Sequence, residues 1–169
     1  MPAAKPVRHT KASVIARVLA EHRALESVLR KLGPRDFARP AMREEAPIRF
    51  TAKDVLAHMT AWKWAAERSL TKTKGPRRPF DPPKTSNITD TNAGIYKRSH
   101  RLSAADVIAE HRAAHRATLT ALRALPSTFF SGRDRSPSWP FDAVGHLAEH
   151  RRKHLEPLVA ARKASARKV

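Results

Sequence analysis

Three histidines recur every four residues near the carboxyl end of the chain, at positions 146, 150 and 154. On a helix, residues four apart stack along one face, so this spacing places His146, His150 and His154 in a row. Two imidazoles at positions i and i+4 can bind one divalent ion. The apolar stripe of the same segment comprises Val144, Leu147 and Leu158. Because His150 and His154 fill the gaps in this stripe and His146 lies toward its edge, we predict that His150 and His154 are the ligand pair.

A third ligand must come from another helix, and His58 is the candidate. It lies between Val55 and Trp62 at helical spacing, so it flanks an inward stripe of its own segment. Three neutral imidazoles leave coordination positions open for water or substrate, which is typical of a catalytic metal site. Imidazole suits zinc, nickel, iron and manganese, and the ligand type alone does not select among them.

The same histidine spacing also has a purely structural interpretation. Histidines four residues apart are common on the solvated face of a basic helix, and His111 and His115 show the same spacing in another segment. Spacing alone therefore supports a metal site and a solvated surface about equally.

Four segments have the helical periodicity that could position these side chains, and none alternates clearly with the period of a strand. They cover about 11–32, 51–71, 103–125 and 141–160. Thr51 and Ser103 each precede an acid by three residues, Asp54 and Asp106, which is the pattern of a helix-starting capping box. The sequence Gly33-Pro34 is a strong helix stop.

These segments predict an all-α fold, a four-helix bundle over 11–160 with a basic extension at 1–10 and a basic tail at 161–169. A long Pro-rich connection joins helices 2 and 3, and such a loop is typical of a functional cover. Within it, 92–100 is expected to form a short helical turn. Pro157 is expected to kink the last helix, because it cannot donate to the carbonyl of Lys153.

Composition limits the kind of protein this can be. The chain has 169 residues, the size of one domain, and no cysteine, which excludes disulfides and thiol nucleophiles and favours a cytoplasmic protein. No stretch approaches the roughly 18 apolar residues of a membrane span, and no secretory signal is evident. The net charge is +19, which predicts non-specific attraction to nucleic acid or another polyanion. An Arg-rich solvated surface explains the same number.

Several motifs occur together in a recognisable order. The segment TAKDVLAHMTAWKW, preceded by Phe50, resembles the second helix of the DinB/YfiT-like superfamily, and more narrowly its ClbS/DfsB branch. The segment TNAGIYKRSHRLSAADVIAEHRAAHRATLTAL resembles the branch's Asn-x-x-x-Tyr turn and third helix, and HRRKHLEPL resembles its closing His-x-x-x-His helix. The resemblance covers about 12–160. It implies a DinB-like bundle with a metal held by His58, His150 and His154.

The resemblance also implies a function. It predicts a metal-dependent hydrolase or thiol S-transferase that acts on a small electrophilic or toxic compound. Trp62 is then expected to wall the pocket, and Asn92 and Tyr96 to orient the substrate. The chain departs from the family pattern after the tryptophan, where an acid is often found and Lys63 stands here, and on both sides of the closing histidine pair.

The general base is harder to assign from sequence. Glu149 and Glu156 are near the ligand pair, but Glu149 should face away from it, so the candidate is His115, whose spacing from Ile108 and Leu119 turns it inward. A satisfied core histidine is the alternative for His115. For the whole chain the alternative is a non-enzymatic basic bundle that binds nucleic acid or another polyanion. The sequence leaves a homodimer open.

Overall fold

The computed structural model describes residues 8–42, 48–72, 87–131, 140 and 143–166. The elements are, in chain order, α1 (Lys11–Leu29), α2 (Pro34–Phe37), β1 (Pro40–Met42), β2 (Phe50–Thr51), α3 (Ala52–Thr71), α4 (Ile88–Ser99), α5 (Ala104–Ala124), α6 (Ser127–Ser131), α7 (Gly145–His150), a π-helical segment (Arg151–Leu155) and α8 (Glu156–Ala166). The predicted all-α class is thus confirmed in its coarse form, since the described residues are mostly helical. No helix among them is long and apolar enough to cross a membrane.

The helix starts follow from local capping. Thr51 accepts a hydrogen bond from the backbone of Asp54, whose carboxylate accepts one from the backbone of Thr51 in return. Ser103 and Asp106 form the same reciprocal pair at the start of α5. Each pair satisfies two backbone donors that a helix start leaves without partners. Both predicted starts are confirmed, and α3 ends at Lys72, which adopts a left-handed conformation with φ of 52°.

Helix α3 is the central element of the core. Its long run of buried residues faces α5 on one side and α4 and the carboxyl-terminal helix on the other. Fully buried apolar side chains on α3 include Val55, Leu56 and Met59. They pack with Leu25 of α1, Val107 of α5 and Leu147 of α7. Because α3 is buried on several faces, side chains on different faces of this helix can belong to different sites.

Two short strands precede α3, which the sequence did not predict. Pro40 pairs with Thr51 and Met42 with Phe50 in a two-stranded antiparallel ribbon. The segments are too short to show a period of two, so the pattern could not reveal them. The ribbon places Phe50 beside the first turn of α3, fully buried.

The region around the Pro-rich connection differs partly from expectation. Most of that connection, 73–86, lies outside the described residues. The expected short turn at 92–100 is instead most of a regular helix, α4, capped by the side chain of Asn87. At the far end, α8 continues to Ala166, past the predicted start of the tail at 161. Arg162 donates to the carbonyl of Lys31 at 2.8 Å, so this residue belongs to the packed structure.

The last helix carries a π-helical segment where a kink was expected. Arg151–Leu155 has π geometry, and the backbone N–H of Glu156 donates to the carbonyl of Arg151, five residues back. Pro157 has no N–H to donate to Lys153, and its ring crowds that carbonyl. A wider helical turn just before proline relieves this conflict. The chain therefore changes its helical phase between His150 and Leu155.

Candidate metal centre

Three imidazoles meet between α3 and α7. His58 comes from the middle of α3 and is 2% exposed, and His146 and His150 come from one face of α7. The Nε2 atom of His146 lies 2.8 Å from Nε2 of His150 and 3.1 Å from Nε2 of His58. Among the described residues, His58, His146 and His150 form the group whose ligand atoms all lie within 4.8 Å of one another. Two regular helices thus present three nitrogens to one point.

Hydrogen bonding alone does not satisfy this arrangement. A ring nitrogen of neutral imidazole offers either one N–H or one lone pair. Nε2 of His146 faces two other Nε2 atoms, so it cannot make a full hydrogen bond to each of them. A cation that accepts one lone pair from each ring satisfies all three. In a tetrahedral site with bonds of about 2.05 Å, ligand nitrogens lie about 3.3 Å apart, close to the distances found here.

The protonation state of the three rings suits a metal ion. Burial lowers the pKa of His58 well below its usual value, with smaller contributions from His150, His146 and His154. Burial also lowers the pKa of His146 to about 4 and that of His150 to about 3. All three rings are therefore neutral at neutral pH, and the neutral ring is the form that donates a lone pair to a metal.

Aromatic side chains line the centre. The Trp62 ring lies one turn after His58 and stands edge-on, with its centroid 6.0 Å from that of His146 and 6.3 Å from that of His58. Phe50 stands edge-on to His58 at 6.1 Å. These rings exclude water from one side of the imidazoles and lower the local dielectric constant, which strengthens electrostatic interactions there.

The histidine group that could hold a metal differs from the predicted trio by one residue, because it contains His146 and not His154. His154 is buried, but its Nδ1 atom lies 3.0 Å from the carbonyl oxygen of Ala41 in β1 and donates to it. The His154 ring is 5.3 Å from that of His150 and tilted by 35°. The reason is the π-helical segment between the two residues. When the inward-facing residues of a helix are extrapolated at 3.6 residues per turn, the positions beyond an intervening π turn are assigned to the wrong face of the helix.

Two outer nitrogens of the centre, those of His58 and His150, lack the usual hydrogen-bonding support. Nδ1 atoms of His58 and His150 are buried and have no hydrogen-bond partner among the described residues. Ligating histidines usually donate this N–H to a carboxylate, carbonyl or water, which orients the ring. Among the described residues, Glu149 has the carboxylate that raises the pKa of His146. This carboxylate is half exposed and forms an ion pair with Lys153 at 2.8 Å. Ring orientation here depends on packing.

The structure places the other predicted site residues in different surroundings. Trp62 is at the centre, as expected. Tyr96 stands edge-on to Phe50 at 5.4 Å, so one ring separates it from His58. Asn92 is buried on α4. His115, the candidate base, is wrongly assigned to this centre. It stacks on His22 at 3.6 Å, and none of the three ligand histidines contributes to its pKa.

Comparison with known proteins identifies a protein of similar fold but does not indicate a function. No model of a known protein family matches the chain, and no curated protein matches it. A solved structure of an uncharacterised protein from Escherichia coli UTI89 is similar, with a TM-score of 0.67 and 16% sequence identity. The similarity covers 87% of this chain and 94% of that one. At this identity the likeness shows a shared fold only.

Proposed function

We propose that this chain is a metal-dependent enzyme of the DinB-like four-helix kind, a hydrolase or thiol S-transferase for a small electrophilic or toxic compound. The observation that carries the proposal is the convergence of three neutral Nε2 atoms, from His58, His146 and His150, on one point. The ordered motifs that resemble the ClbS/DfsB branch support it. The absence of cysteine supports a cytoplasmic setting and means that any thiol comes from a co-substrate.

A three-histidine ligand set suits catalysis more than structure. A tetrahedral structural site is closed by four protein ligands, whereas three leave one position open. A divalent ion held by these residues would lower the pKa of a bound water or thiol and would polarise an electrophile. The ligand group found among the described residues contains no carboxylate, so its members do not offset the charge of the ion. Zinc, nickel, iron and manganese all remain candidates.

The protein's own contribution is position and exclusion of water. His58 is held on the central helix, while α7 holds the other two ligands one turn apart. Trp62, only half-buried, forms one wall and is the side chain best placed to contact the apolar part of a substrate. Tyr96 and Asn92 lie on α4, beyond Phe50, and their proposed part is to orient a substrate that extends past that ring.

Turnover assays with metal-loaded protein test this proposal. The untagged protein is loaded in turn with Zn²⁺, Ni²⁺, Fe²⁺ and Mn²⁺ and mixed with an aryl halide plus a small thiol, and separately with an activated ester. The proposal expects metal-dependent turnover of one reporter class, and loss of it in His58→Ala. His100→Ala, which changes a histidine outside the centre, is the matched control. Equal rates for His58→Ala and the metal-loaded wild type contradict an enzymatic role for the centre.

The charge supports a second candidate function, a basic bundle that binds nucleic acid or another polyanion. A net charge of +19 attracts phosphate backbones without requiring any site. The histidine trio separates the two proposals, because polyanion binding has no use for it. Retention on DNA that is the same in wild type and His58→Ala, together with no turnover, favours the second candidate.

A further inference from the structure

A second cluster of basic side chains, most of them buried, lies away from the metal centre. It comprises His22 of α1, Lys63 of α3, and His111 and His115 of α5, and we refer to it as the inner basic cluster. Lys63 is 1% exposed, His111 is 0% exposed and His115 is buried. Burying a basic group without an acid to pair with it is costly, so such a cluster in a core requires an explanation.

The rings of the inner basic cluster are stacked. His22 and His115 lie face to face, with centroids 3.6 Å apart and planes 9° from parallel, and His22 is 6.4 Å from His111. His111 donates from Nδ1 to the hydroxyl of Thr60 at 3.0 Å, because that hydroxyl already donates to the carbonyl of Leu56. The Nε2 atom of His111 therefore carries the lone pair of the neutral ring.

One nitrogen of each ring lacks a partner. Nδ1 of His22, Nε2 of His111 and Nδ1 of His115 are buried and have no hydrogen bond among the described residues. Parallel stacked rings do not aim their nitrogens at one point, and these three do not form a metal-binding group. The three rings are therefore neutral bases that each have a nitrogen able to accept a proton, and they do not converge on a metal ion.

The carboxylates beside the cluster are already occupied. Glu26 accepts from Arg112 at 2.9 and 2.8 Å, and Glu21 accepts from Arg151 at 2.6 and 3.0 Å. The charged groups that face the cluster from the packed elements are Glu21 and Glu26 on α1, Lys63 on α3, and Arg112 and Arg116 on α5. No carboxylate without an arginine is present among them to stabilise a protonated ring.

We propose that the inner basic cluster is an acid-responsive latch, which holds helix α1 on α3 and α5 while its imidazoles are neutral and releases α1 when they are protonated. Protonation places like charges on rings stacked 3.6 Å apart and next to the Lys63 amine. Helix α1 supplies one of those rings and contacts α5 less extensively than α3 does. Separation of α1 is thus the movement that relieves the repulsion.

The latch is connected to the metal centre through one ion pair. Glu21, next to His22, holds Arg151, which follows the ligand His150 directly. Release of α1 breaks the Glu21–Arg151 ion pair. This removes a restraint on the π-helical segment that follows the two ligands of α7 in the chain. We extend the proposal to acid-stimulated metal release, and this extension alone rests on the proposed function.

The direction of the pH dependence follows from linkage. Burial, aided by Lys63, lowers the pKa of His22 to about 4 and that of His115 to about 3, and it lowers the pKa of His111 well below its usual value. An opened or unfolded histidine titrates near 6.5, so the opened state binds more protons below that pH. The contribution of the imidazoles to the stability of the latched state is therefore fully present above about pH 6.5 and is lost as pH falls from 6.5 toward 4.

Hydrogen exchange of the full-length, metal-free protein tests the latch. Backbone exchange in α1 is measured by mass spectrometry between pH 7.5 and pH 4.5 and corrected for the intrinsic rate. We expect α1 to lose protection first, while α3 and α5 stay protected. At pH 5 the opening constant should rise on the order of tenfold for each imidazole that is freed to take a proton. Simultaneous loss of protection in α1, α3 and α5 would contradict a latch.

Matched variants connect the effect to the cluster. In His22→Gln and in His115→Gln, the acid-induced opening of α1 should shrink on the order of tenfold, whereas His100→Gln should behave as wild type. Lys63→Met should also reduce the acid-induced opening of α1, because the Lys63 ammonium no longer lowers the pKa of the rings. If a glutamine variant fails to fold, Lys63→Met still decides the question when opening at pH 4.5 is compared with opening at pH 6.5, because Lys63 itself is mostly protonated at both pH values. Opening that is unchanged in Lys63→Met and in every foldable cluster variant overturns the proposal.

The extension to metal release has its own readout. Zn²⁺ dissociation into a chelator is followed at pH 5.5 for wild type and His22→Gln, whose metal ligands are identical. Faster release from wild type supports coupling, and equal rates overturn it. Absence of bound Zn²⁺ at every pH overturns the proposed function and leaves the α1 result standing.

Discussion

Replacement of Lys63 by methionine should make the protein more stable, and the structure gives the size of the effect. Burial lowers the pKa of Lys63 from 10.5 to about 7, and Glu21 and Glu26 offset only part of that. The pKa values of Lys63 in the unfolded and folded chain differ by about 3.5, and each pKa unit corresponds to about 1.36 kcal/mol. Burial of an amine that is protonated in the unfolded chain therefore costs roughly 4–5 kcal/mol. Stability of typical domains is only about 5–15 kcal/mol, so the change is large.

The sign and pH window of this effect are specific to a buried base. The unfolded chain binds more protons than the folded one between pH 7 and 10.5, so stability of the wild type rises with pH across this window. A methionine side chain has no proton to bind, so the advantage of Lys63→Met should fall from roughly 4 kcal/mol at pH 7 to roughly 1 kcal/mol at pH 10. Urea denaturation at both pH values measures it, with the exposed Lys97→Met as control. A destabilised Lys63→Met protein, or an advantage that does not change with pH, refutes the reasoning.

Three further outcomes follow from the described contacts. Ni²⁺ or Co²⁺ should quench tryptophan fluorescence, and Trp62→Phe should remove most of this response, because the Trp62 ring lies 6.0 Å from that of His146. Thr51→Ala should cost about 1 kcal/mol in urea denaturation, because it removes the acceptor for the backbone N–H of Asp54. DNA retention should be independent of sequence and should fall steeply between low and physiological salt, with a log–log slope of about −0.9 per phosphate contact, measured by filter binding. High-salt retention of one sequence would contradict the electrostatic account.

Local rules predicted the helix starts and placed His58 in the histidine group that could hold a metal. Thr51 and Ser103 cap helices because the required side chains lie within three residues of each other, so no distant contact is needed. His58 was identified from the stripe of α3, which is a regular helix throughout. His115 was expected to face inward, and it is buried.

The differences between prediction and structure occur where the helical periodicity is interrupted, or where the packing of distant elements determines which residues are in contact. The π-helical segment changes the phase after His150, so His146 and not His154 belongs to the histidine group that could hold a metal. Pro157 was the available signal, because a proline there removes a backbone hydrogen bond of the preceding turn. The identity of the partner for His115 depends on how α1 and α5 pack, which periodicity does not give. Burial of Lys63 goes against the usual preference of lysine for solvent.

Metal uptake by untagged protein tests the central claim most directly. Zn²⁺ is titrated into wild type, His146→Ala and His154→Ala, and bound metal is counted per chain. We expect one ion per wild-type chain, loss of tight binding in His146→Ala, and retention in His154→Ala. The latter loses the packing of a buried ring and its hydrogen bond to Ala41, which costs roughly 2–4 kcal/mol of stability. Retention in His146→Ala with loss in His154→Ala, or no stoichiometric uptake by the wild type, would contradict the assignment of His58, His146 and His150 as the metal centre.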